Sequence, residues 1–119
     1  MDPIDLHARL ASALVLYLGA LGLWGVVLGA SGSGPTPSFR GALVISEIAI
    51  VAQGLFGILG WPSRGGAEWI HVLYGAALAL AIPLAATVVR EGSPRRTALT
   101  LGLACLFAAG LAIRGITTA

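Results

Sequence analysis

The sequence predicts an all-α membrane protein in which four transmembrane helices form an up-down-up-down bundle. Three observations carry that expectation. Hydrophobic residues make up 57% of the 119 residues and charged ones only 10%. Mean hydropathy is +0.93. Four apolar runs, each near the ~20 residues that span a ~30 Å hydrocarbon core, follow one another with short connections. Soluble domains carry about 25% charged residues; with seven basic and five acidic side chains, most of this surface must face lipid. The four runs fill the chain as a single domain over 1–119.

The first helix is expected over residues 6–30. The acidic start Met1-Asp2-Pro3-Ile4-Asp5 lacks the positive charge of a cleaved signal, so this segment should remain as a helix. Ser31-Gly32-Ser33-Gly34-Pro35-Thr36-Pro37 breaks it, because Gly and Pro do not continue a helix. The second helix is expected over 39–61, ending in a short loop flanked by Trp61 and Trp69, at the depth of an interfacial aromatic belt. The third is expected over 68–90, with a kink at Pro83, and the fourth over 97–115. Short connections force sequence neighbours to run antiparallel.

Every basic residue is Arg, scattered among loops and helix ends. That pattern anchors a topology and does not bind nucleic acid. Arg40, Arg90, Arg95 and Arg96 fall at one end of the bundle, and Arg9, Arg64 and Arg114 at the other. The dense Glu91-to-Arg96 loop points to the first end as cytoplasmic, with both termini outside a bacterial or archaeal cell membrane.

Glycines recur in the helices, at Gly19, Gly22, Gly25 and Gly29 and at Gly54, Gly57 and Gly60. Small residues so spaced either let helices approach closely or make room for a flat ligand. Cys105 lies midway along an apolar run, as a small packing residue. Glu47 and Gln53 fall inside the second helix, where an ionisable group costs roughly 2.5 to 3.5 kcal/mol and asks for a reason. A hydrogen bond across helices or to a partner subunit suits Glu47 better than a proton relay does. Tyr17 and Tyr74 either pack on a ligand or fill the bundle.

Two histidines carry the functional expectation. His7 starts the first helix and His71 the third, and in an up-down bundle those helices run parallel and face each other diagonally. Both imidazoles then sit at one depth, placed to hold a b-type haem as a metal-ligating pair. Arg9, Arg64 and Arg114, at the same end, would meet the haem carboxylates. The plainer reading makes both histidines interfacial residues bonded to water or headgroups.

The residues that follow are also similar to a known family. His7-Ala8-Arg9-Leu10-Ala11, then Ala52-Gln53-Gly54-Leu55-Phe56-Gly57-Ile58-Leu59-Gly60, then Trp69-Ile70-His71-Val72-Leu73-Tyr74-Gly75-Ala76-Ala77-Leu78 resemble the first three helices of a haem A synthase bundle. The resemblance implies one haem between His7 and His71 in a four-helix unit, two of which make up the full-length enzymes. This chain has one unit and lacks the outer-loop cysteine pair of some members. It carries Ile4 where catalytic members have Glu one turn before the histidine. What carries over is haem binding, not oxidation of a haem methyl group.

The leading expectation is therefore a small b-type cytochrome in a respiratory or photosynthetic membrane, for electron transfer or haem handling, with a homodimer or larger complex as partner. A half-length haem A biogenesis factor and a haem-free structural subunit are the alternatives.

Overall fold

A computed structural model describes residues 2–60, 69–90 and 92–117. Its four helices are α1 (Pro3–Ala30), α2 (Pro37–Leu59), α3 (Trp69–Val88) and α4 (Pro94–Thr117). At about 1.5 Å per residue they are about 30 to 42 Å long. Each is long and apolar enough to cross a membrane, which makes the chain an integral membrane protein.

Three of the four helices begin earlier than hydropathy predicts, and for one reason. Pro3, Pro37 and Pro94 each occupy the first helical position, where a missing N–H costs nothing and the fixed φ suits the helix. Each follows a capping side chain. Asp2 Oδ1 accepts from Asp5 N at 2.9 Å, Thr36 Oγ1 from Phe39 N at 3.1 Å, and Ser93 Oγ from Arg96 N at 3.2 Å. Pro37, expected to belong to the break, instead starts a helix. The break itself lies where expected, and Gly32 closes α1 with φ +82°. Ser33 N donates to Leu28 O at 2.8 Å and Gly32 N to Gly29 O at 3.0 Å, the paired bonds of a Schellman stop that glycine alone enters without strain. Helix α3 runs through Pro83 to Val88. The expected ends at Trp61 and Glu68 lie outside the described residues.

Contacts between the helices fix their directions. Gly22 meets Leu106, Gly25 meets Gly102, and Gly29 meets Leu99, so α1 and α4 are antiparallel. Ile4 lies against Gly60 and His7 against Gly57, while Tyr17 Oη donates to Ala42 O at 2.8 Å, so α1 and α2 are antiparallel too. Arg114 stands 5.8 Å over the Tyr74 ring and Thr97 Oγ1 donates to Val89 O at 3.4 Å, pairing α3 with α4. Helix α1 packs on α2 and α4, α4 packs on α3, and α2 touches α3 least. The first and third helices are thus diagonal, as alternation requires.

Lipid is as apolar as leucine, so burial alone does not hold such helices together; close packing and interhelical hydrogen bonds do. The α1–α4 seam is the closest. A Cβ on Gly25 would lie 2.7 Å from Gly102 Cα, and one on Gly102 would lie 2.6 Å from Val26 N. Backbone therefore packs on backbone, and the helix-packing reading of Gly22, Gly25 and Gly29 is the right one. Leu14, Leu18, Leu101 and Cys105 fill the interior beside this seam. Trp24 and Phe39 meet edge to face at 5.3 Å.

Candidate cofactor site

The start of α1, the end of α2 and the start of α3 converge at one end of the bundle. His7 projects from the second turn of α1, and its Nδ1 lies 2.9 Å from the main-chain oxygen of Gln53. A carbonyl only accepts, so this contact assigns the proton to Nδ1. Nε2 is the ring nitrogen that this contact does not use. A metal-binding histidine is typically held this way, its second nitrogen donating to a carbonyl that fixes tautomer and ring orientation.

The sequence explains how His7 reaches that carbonyl. Gln53 O sits in the ladder of α2, one turn before Gly57. A Cβ at Gly57 would stand 3.0 Å from His7 Cε1 and 3.2 Å from Nδ1, tighter than ordinary carbon contact. Gly57 thus clears the ground on which the imidazole rests. Neither the Gln53 carbonyl nor this use of Gly57 was among the expected site residues; a glycine one turn beyond a membrane-buried polar residue was the available signal.

His71 comes from the first turn of α3, across the bundle diagonal. The His7 and His71 ring centres are 5.9 Å apart, with planes inclined at 68°. Two imidazoles that bind one metal through bonds of about 2 Å have ring centres about 6 Å apart. The pair meets edge to face, within the ordinary range of ring packing, at a separation that two ligands on opposite sides of one ion would also have. Both residues are half-buried. Matched depth, expected from alternation, is present and closer than alternation alone demanded.

Two glycines near the pair in sequence carry open faces. Gly75, one turn beyond His71, has nothing within 4 Å of where a Cβ would stand, and Gly54, one turn before Gly57, is equally open. Helices α2 and α3 are the most thinly packed of the touching pairs. Gln53 Oε1 is buried with no hydrogen-bond partner among the described residues. Among those residues no group of three or more His, Cys, Asp and Glu gathers to hold an ion. A donor set of two imidazoles beside bare glycine faces suits a metal whose remaining ligands arrive with a planar macrocycle.

The arginines divide. Arg114 is exposed and stacks its guanidinium over Tyr74, less than one turn beyond His71, which also accounts for Tyr74. Arg9 is exposed, two residues past His7. Arg64 lies outside the described residues. Ile4 packs its side chain on Gly60.

Glu47 is not part of this constellation. It lies six residues before Gln53, about 9 Å along the helix, on a face with Val44, Ile48 and Val51. Its Oε2 is buried without a hydrogen bond among the described residues, so the expected bond across helices is not made at that atom. Tyr17 is tied to Ala42, farther along α1 from the histidines. Comparison with known families, with curated proteins and with solved structures finds no match in any of the three.

Proposed function

We propose that this chain is a small b-type cytochrome-like membrane protein that holds one haem between His7 and His71. The observation that carries the reading is the imidazole pair itself, 5.9 Å apart on diagonal helices. His7 is oriented through Nδ1 by the Gln53 carbonyl. His7 and His71 would hold the group between them, and a bound haem would supply one-electron transfer.

The chain's own residues do the rest. Gln53 and Gly57 hold His7 in the tautomer that presents Nε2. Gly54 and Gly75 leave flat faces beside the ligands. Arg9 and Arg114 supply positive charge for carboxylates at that end, and Arg64 belongs to the sequence that joins α2 to α3. The resemblance to haem A synthases agrees with haem binding, whereas Ile4 argues against their oxidation chemistry. Electron transfer or haem handling in a respiratory or photosynthetic cell membrane fits best, with both termini on the outer side and a second copy or a larger complex as partner.

The test is a reduced-minus-oxidised absorption spectrum of the purified full chain, expressed with haem supplied. A b-type α-band at one haem per chain is expected. A helical, monodisperse protein with no such band removes the reading.

A further inference from the structure

The opposite end of the bundle holds a second site with no part in haem binding. A cavity of about 420 Å³ opens there, lined by Arg40 of α2, Arg90 beyond α3, Pro35, Val89, Thr97 and Leu101. Its volume is within the range of small-ligand pockets. We propose that it is a binding site for a phosphate group, carried by an anionic lipid headgroup or free in the adjoining water.

Charge placement argues for an anion. Helix N-termini carry partial positive charge and ordinarily attract acidic side chains. At this end both α2 and α4 begin, and neither has an acidic residue in its first turn. Arginines stand there instead, Arg40 on α2 and Arg95 and Arg96 on α4. Each cation has the wrong sign for the dipole beside it, and a bound anion removes the conflict. Arg40 and Arg90 are exposed and make no ion pair among the described residues. Glu91 is the one carboxylate of the loop sequence, so even a pair with it leaves the end positive.

The walls are held in place by the fold. Gly92 N donates to Val89 O at 3.0 Å, and Thr97 Oγ1 donates to the same oxygen at 3.4 Å, which ties the turn carrying Arg90 to α4. The other loop closes on it: a Cβ at Gly34 would lie 2.6 Å from Pro94 Cβ. Guanidinium groups match phosphate oxygens in bidentate fashion. Ala86, Val89 and Leu101 continue the lining toward the membrane interior, where an acyl chain would lie.

The test is native mass spectrometry of the full chain after incubation with equal amounts of phosphatidylglycerol and phosphatidylcholine in phosphate-free buffer. A second arm gives phosphatidylcholine and inorganic phosphate. Two arginines at a headgroup surface correspond to a preference of up to about thirtyfold. Preferential retention of phosphatidylglycerol assigns the site to lipid, and a phosphate adduct in the second arm assigns it to the free anion. In either case R40Q/R90Q should abolish the binding. Equal retention of both lipids with no phosphate adduct overturns the proposal, as does binding that survives R40Q/R90Q. Helix content from circular dichroism accompanies each variant, and the wild-type lipid ratio decides the matter if the double variant does not fold.

Discussion

Replacing Gly57 by Ala separates the proposed site from the fold that carries it. The new methyl would sit 3.0 Å from His7 Cε1 and 3.2 Å from Nδ1, so the ring must retreat by a few tenths of an ångström. Its bond to Gln53 O, now 2.9 Å, then stretches toward the edge of hydrogen-bonding range. Losing one such bond costs about 0.5 to 1.5 kcal/mol, and disturbing a ligand's orienting partner typically lowers metal affinity about 10- to 100-fold. Stability moves the other way, since alanine in a helix interior is favoured over glycine by up to about 1 kcal/mol. The assay is a haem titration of apoprotein followed by absorbance, with thermal unfolding of the apoprotein in the same detergent. A 10- to 100-fold weaker haem affinity with an unchanged or raised unfolding temperature is expected. Haem affinity within about twofold of wild type would refute the claim that Gly57 and the Gln53 carbonyl position His7.

Other outcomes follow from the same packing. Gly102→Ala forces a methyl against the main chain of α1, 2.6 Å from Val26 N, and should destabilise the bundle by about 1 to 3 kcal/mol in detergent unfolding. Gly19→Ala, with nothing within 4 Å, should be neutral or slightly stabilising in the same measurement. Glu47→Gln should leave the absorption spectrum unchanged, because the carboxylate lies about 9 Å along α2 from Gln53; a lost α-band in that variant would show that the site extends farther than described.

The architecture was legible because the bilayer imposes it. Twenty apolar residues in a row have few other fates, and short connections leave little choice but alternation. Alternation in turn placed His7 and His71 at one depth from their positions in the chain alone. The helix starts were misjudged because the polar turns around Pro3, Pro37 and Pro94 fall outside the apolar runs, whereas a capping Asp2, Thr36 or Ser93 makes each proline a beginning. The glycine readings stayed open because spacing does not name a partner. Gly22 and Gly25 face α4, Gly57 faces an imidazole, and Gly54 faces open space, though all share one composition. The support for His7 was hidden for a deeper reason: a main-chain carbonyl is present at every residue, so no side chain marks the one that is used. Glu47 shows the converse, a conspicuous residue whose place in the fold gives it no role at the histidine end.

The central claim is that His7 and His71 bind the two faces of one haem iron. A carbon monoxide difference spectrum of the reduced protein tests it most directly. If both histidines hold the haem, wild type should show no shift when carbon monoxide is added. His7→Ala and His71→Ala should each lose haem or gain a carbon monoxide complex through the vacated position. A six-coordinate spectrum unaltered by carbon monoxide in either variant would contradict the account.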